Sequence, residues 1–86
     1  MTGQDGGPRY DPRGADLVYM LIADDIAAAI TAGRYAAGQR LPSEAALAEE
    51  YGAARMTVRR AVRELRERGL VRTVYGKGTY VLGPGQ

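Results

Sequence analysis

Residues 54–69 read ARMTVRRAVRELRERG, with six arginines and two glutamates. A guanidinium is a permanent, planar cation whose chemistry is the recognition of carboxylate, phosphate or a base edge rather than proton transfer. Such a stretch is either the solvated face of an amphipathic helix or a surface that meets an anion, and its arginines divide between the two. Arg60–Glu64, Arg63–Glu67 and Glu64–Arg68 are spaced i,i+4, pairs that contribute a few tenths of a kcal/mol each, and arginine near a helix C-terminus suits the dipole. Arg66 and Arg68 therefore read as solvated, and Arg63 is open. Arg55 falls in the first turn, where a cation is disfavoured, and neither Arg55 nor Arg59 has an acid three or four residues further on. An anionic ligand accounts for both: helix N-termini and arginine favour phosphate, and arginine can read guanine with two hydrogen bonds. Arg60 has a local partner and is also a contact candidate.

Four further residues join this set. Thr57, near the same helix end, is either a surface residue or a hydroxyl for a phosphate or base edge. Ser43 reads first as a helix cap, in a place that also suits a phosphate. Lys77, between Gly76 and Gly78, is a soluble turn residue or a basic tip that reaches phosphates or a minor groove; contact is the stronger reading. The glycines serve the turn under either. Tyr19, Tyr35, Tyr51 and Tyr80 fit core edges with wet hydroxyls. Asp24, Asp25, Glu49 and Glu50 read as solvated acids, not as a metal site.

The elements that position these residues follow from periodicity. Residues 1–15, rich in glycine and proline, read as a flexible arm. Asp16 is placed to cap a first helix, LVYMLIADDIAAAITA, with Val18, Ile22, Ile26 and Ile30 recurring every four residues, Leu17, Leu21 and Ala29 widening the stripe, and Gly33 closing it. Gly38 suggests a turn and residues 39–41 a short strand. Ser43 then caps a second helix whose inward face is Leu47, Ala48 and Tyr51 and which ends at Gly52, with Glu44 in its first turn. Ala53 and Ala54 lead into the third helix, where Val58, Ala61, Val62 and Leu65 keep helical spacing up to Gly69. A short helix, a tight glycine turn and a longer basic helix form a helix-turn-helix. Beyond Gly69, LVRTVY and TYVL have β-rich composition and flank Gly76-Lys77-Gly78, which predicts a hairpin. The predicted fold is mainly α with a small β-hairpin, a winged helix-turn-helix over residues 16–82 with a tail at 83–86.

Composition agrees and excludes much else. The chain has 86 residues with no cysteine and no histidine, so it lacks disulfides, thiolates, the commonest general base and the commonest transition-metal ligand. An enzyme, a metal and a cofactor are not expected. No apolar run approaches the roughly 20 residues of a membrane helix, and the N-terminus lacks a secretory pattern; a soluble cytoplasmic protein without membrane contact is the expectation. The net charge of +2 conceals polarity: residues 1–54 carry four arginines against eight acids, and residues 55–86 seven arginines and one lysine against two glutamates. An acidic partner for the C-terminal half follows.

The strings G-R-Y-x-x-G-x-R-L-P-S-E-x-x-L-A-x-x-Y-G (Gly33 to Gly52), R-M-T-V-R-R-A-V-R-E-L (Arg55 to Leu65), G-L-V and G-K-G-T-Y-V closely resemble the N-terminal DNA-binding domain of the GntR family of bacterial regulators, and R-M-T-V-R with G-K-G-T-Y-V is most similar to its HutC-like branch. The resemblance covers about residues 17–82. It implies a third helix in the major groove, a wing at the minor groove, and usually a dimer on an operator with two-fold symmetry. The family's contact positions fall on Arg55, Thr57, Arg59 and Gly76, with Lys77 adjacent. Two departures stand out: Ala54 replaces the Ser or Thr that many relatives use as cap and phosphate contact, and Ala45 stands where some carry arginine. Family members normally continue into an effector-binding domain, whereas these 86 residues end just after the wing, so no effector domain is expected within them. Together these features predict a sequence-specific, double-stranded DNA-binding transcriptional regulator. It is expected to be a repressor by promoter occlusion and a homodimer at least on DNA, acting constitutively or controlled by its abundance or by a partner protein. The competing reading is a winged-helix adaptor whose basic face docks an acidic protein.

Overall fold

The computed structural model describes residues 15–83. Three helices, α1 (Ala15–Thr31), α2 (Glu44–Tyr51) and α3 (Arg55–Glu67), precede two strands, β1 (Val71–Val74) and β2 (Gly78–Val81). This is the winged helix-turn-helix. Of the predicted arm only Ala15 is described, and it stands in α1 instead; all of the predicted tail but Gly83 lies outside the described residues.

Ser43 caps α2, its hydroxyl accepting from the Ala46 amide at 3.0 Å. Gly52 ends it in the left-handed region at φ 64°, a conformation that costs an L side chain free energy and glycine nothing. The chain can thus reverse within three residues and start α3 across α2. Ala54 has the extended backbone of an N-cap but no side chain to bond the first turn of α3. Both Ala15 and Asp16 have helical backbone in α1, so Asp16 stands inside the helix rather than at the cap position expected of it.

The core is aliphatic: Ile22, Ala23, Ile26, Leu41, Leu47, Val58, Ala61, Val62, Leu65, Val71 and Val81 are buried together. All four apolar positions expected on α3 are among them, and Leu47, Ala48 and Tyr51 face inward on α2 as expected. The α1 stripe is partly different, because Val18 is 40% and Leu21 57% exposed while Ala23 is fully buried. A four-residue repeat advances by roughly 40° per step around a helix of 3.6 residues per turn. The row 18–22–26–30 therefore winds off the buried face, and only its middle stays inside.

The hairpin pairs Val71 with Val81 and Val74 with Gly78. The connecting loop is therefore Tyr75-Gly76-Lys77, one residue earlier than expected, and Lys77 donates back to the Val74 carbonyl at 2.9 Å. On its other edge β2 meets residues 39–41. Arg40 bridges Tyr80, the Leu41 amide donates to Thr79 and the Val81 amide to Gln39. The short strand expected at residues 39–41 is thus a single bridge that fixes the wing to the segment entering α2.

Polar side chains lock the helices at their outer edges. Arg68 donates to Glu64 and to Asp24 of α1, both at 2.9 Å. These two carboxylates hold its guanidinium above its ordinary pKa. The Tyr51 hydroxyl donates to Asp25 at 2.6 Å. Asp24, Asp25 and Arg68 are exposed, as expected, and each also has a partner on another element, which i,i+4 spacing cannot reveal. Arg66 is exposed as expected too, and it donates to Thr73 Oγ1 of β1 at 3.0 Å, which ties the wing to α3. No described helix is long and apolar enough to cross a membrane.

Two outcomes follow for stability. The N-cap backbone of α3 is already in place, so Ala54→Ser should stabilise the fold by about 1 kcal/mol, or about 4–8 °C in Tm for a domain of this size; an unchanged Tm would show that the hydroxyl finds no amide. Burial first, then the Asp25 hydrogen bond and charge, raise the Tyr51 phenol pKa well above its usual value. A raised folded pKa gives stability that is fully present below the unfolded value of about 10 and is lost as pH climbs through the folded one. The wild-type Tm should then fall more steeply above pH 10 than that of Tyr51→Phe, and equal slopes would contradict the assignment.

Candidate nucleic-acid interface

The turn at Gly52 sets the start of α3 against the start of α2, and this juxtaposition decides the fate of Arg59. Its Nε and Nη2 donate to Glu44 Oε1 at 3.2 and 3.1 Å. Arg59 was expected to lack an acidic partner; it has one, supplied from the first turn of α2 fifteen residues upstream. Glu44 favours that place because its charge meets the positive end of the α2 dipole. The pair is half-exposed, and such pairs contribute at most about 1 kcal/mol. It holds Arg59 in position and releases it cheaply to a stronger anion.

Beside this pair, the start of α2, the start of α3 and the hairpin border an open groove of about 380 Å³. Arg40, Ser43, Glu44, Arg55, Thr73 and Lys77 line it, together with the loop residues Tyr75 and Gly76. Four expected site residues, Ser43, Arg55, Gly76 and Lys77, are thus brought to one concavity, and Arg59 adjoins it through Glu44. Glu44 is the only acid lining the groove among the described residues. Arg40, Arg55 and Lys77 have no ion pair among the described residues, so the groove presents three uncompensated cations and one carboxylate engaged elsewhere. Its electrostatics suit a polyanion.

The other two expected site residues are placed differently. Thr57 is only 8% exposed, which removes the reading as an ordinary surface residue and leaves little of it open to a ligand. Arg60 turns toward α1, its guanidinium carbon 4.2 Å from the centroid of the Tyr19 ring, a cation–π arrangement. The Arg63–Glu67 pair expected from spacing is not formed, and Arg63 is exposed.

Two residues of this surface were not singled out from the sequence. Arg40 lies outside the basic helix, and only its pairing with β2 brings it to the wing. Tyr75 is 99% exposed at the hairpin tip; reading the loop one residue late assigned it to a strand. Among the described residues no cluster of carboxylates could hold a metal ion.

The geometry has counterparts among known proteins. Residues 18–81 match the family model of the bacterial regulatory proteins, gntR family. The chain is 44% identical over 64 residues to the mannosyl-D-glycerate transport/metabolism system repressor MngR of Escherichia coli, covering 74% of this chain and 27% of the repressor. It is 39% identical over 66 residues to the histidine utilization repressor of Klebsiella aerogenes, covering 77% and 27% respectively. The chain therefore spans about a quarter of the length of these curated relatives. Among solved structures it superposes on a GntR family transcriptional regulator from Listeria monocytogenes with a TM-score of 0.75 at 33% identity, covering 85% of this chain and 62% of that one. It also superposes on AraR(DBD) in complex with operator ORR3, with a TM-score of 0.71 at 29% identity over 88% of this chain and 90% of that one. With the family model matched over most of its length and its winged helix-turn-helix shared with solved members, the chain belongs to the GntR family of bacterial regulatory proteins.

Proposed function

We propose that the chain is the sequence-specific reader of double-stranded DNA in a transcriptional regulator, a repressor that occludes its promoter, and that two copies assemble on an operator with two-fold symmetry. The N-terminal half of α3 enters the major groove, where Arg55 and Arg59 reach base edges. The hairpin tip, Gly76 and Lys77, lies at the minor groove, and Ser43 meets the backbone beside the start of α2. Thr57 and Arg60 are contacts of the same surface that open once DNA draws them from their present neighbours.

The observation that carries this reading is the collection of uncompensated cations at one end of the molecule, where α3 begins beside the hairpin. A buried apolar stripe holds α3 rigidly from behind, and its basic end is left to solvent. Phosphate contacts supply affinity and register, and arginine at base edges supplies discrimination. The relatives support it: MngR and the histidine utilization repressor are repressors, and the AraR domain is seen with an operator.

Arg59→Ala should weaken operator binding by about 1–3 kcal/mol and relax base preference, measured by anisotropy across a set of single-substitution duplexes. Unchanged affinity and preference would remove Arg59 from the reading surface. Glu44→Gln deletes the acid facing the DNA and frees Arg59 from its tether, so it should tighten binding to shuffled duplexes more than to the operator and narrow the ratio between them. A wider ratio would mean that Glu44 only opposes binding and does not position Arg59.

A further inference from the structure

A helix in the major groove and a hairpin at the adjacent minor groove necessarily straddle the sugar-phosphate strand that separates the two grooves. In this fold the space between those elements is the groove of about 380 Å³ lined by Arg40, Arg55 and Lys77. Arg40 is its least expected member and the most deliberately seated. Its backbone is fixed against β2, bridged to Tyr80 and flanked by the Leu41–Thr79 and Val81–Gln39 hydrogen bonds. Its side chain lies flat across Gly78: a Cβ built there would stand 2.6 Å from Arg40 Nε, 3.3 Å from Cδ and 3.4 Å from Cγ. Gly78 itself has φ 128°. The glycine therefore serves more than the turn, since any side chain at 78 would push the arginine off the strand. An exposed long cation thus passes over Gly78 at the groove's lining, with no carboxylate bound to it among the described residues.

We infer that this groove is the seat of the DNA backbone between the two grooves, and that Arg40, laid over Gly78, clamps one of its phosphates. The inference rests on the DNA-reading function proposed above and assigns a residue outside the helix-turn-helix to it. A phosphate clamp carries no sequence information, so its loss lowers binding to every duplex alike. Each phosphate neutralised contributes about 0.9 to the slope of log K against log salt on B-DNA, so removing Arg40 lowers that slope by about 1.

The test compares wild type, Arg40→Ala, Arg40→Lys and Arg34→Ala on an operator duplex and a shuffled one, by anisotropy at several salt concentrations, with thermal melts to confirm folding. Arg34 does not line the groove and gives the same change in net charge. The expected result for Arg40→Ala is about a tenfold loss on both duplexes with the slope reduced by about 1. Arg40→Lys should restore most of the slope, and Arg34→Ala should stay within about twofold of wild type. Equal losses for Arg40→Ala and Arg34→Ala would reduce the effect to bulk charge and overturn the clamp. A loss confined to the operator would overturn it too, by making Arg40 a base reader, and so would an Arg40→Lys chain as weak as Arg40→Ala. A wild-type chain that binds neither duplex fails at the earlier step: it contradicts the proposed function itself, and the clamp falls with it.

Discussion

One 13-residue helix is the centre of the core and, in the proposed function, the reading surface as well, and most of the structure follows from that double demand. Helix α3 buries Thr57, Val58, Ala61, Val62 and Leu65 and packs against α1, α2 and β1. A core without phenylalanine or tryptophan has few large contacts to distribute, and a chain this short buries only about 60% of its unfolded surface. Every neighbour of α3 is therefore needed, and each is tied to it twice, by aliphatic packing inside and by a polar link outside. Arg68 reaches α1 through Asp24, Arg66 reaches the wing through Thr73, and Arg59 reaches α2 through Glu44. Arg55 is left where the helix begins, beside Arg40 and Lys77 in the groove.

This arrangement divides the basic helix by function. Arg66 and Arg68 at its C-terminal end are structural braces, whereas Arg55 lines the groove and Arg59 adjoins it through Glu44. Glu44 stands at the division. It suits the α2 dipole and holds Arg59; in the proposed function it also sets a single negative charge against a polyanion, which would lower indiscriminate attraction. A half-exposed ion pair is weak, so under that proposal it would let Arg59 exchange carboxylate for base edge.

Local signals were legible in the sequence: the Ser43 cap, the Gly52 turn, the apolar stripe of α3 and the change to β composition after Gly69 all depend on neighbours within a few residues. What sequence reading missed depends on tertiary approach. The partner of Arg59 lies on another helix, Asp24 and Asp25 are claimed by Arg68 and Tyr51 from other helices, and Arg40 reaches the groove only because residues 39–41 pair with β2. The α1 face was misjudged at Val18 and Leu21 because a four-residue repeat drifts around the helix, and Ala23 was overlooked because alanine signals neither face. The hairpin register moved by one because Gly78 serves the strand and the Arg40 side chain rather than the loop.

The proposed function requires that the basic end of α3 discriminate among DNA sequences. The most direct measurement is anisotropy binding of the purified chain to the duplex upstream of its own gene and to a shuffled duplex of the same composition, at two salt concentrations. The account predicts tighter binding to the native duplex, a preference that persists at higher salt while the overall affinity falls, and two chains per site at saturation. Equal, salt-sensitive binding to both duplexes would contradict it, leaving a basic surface that senses phosphate but reads no sequence.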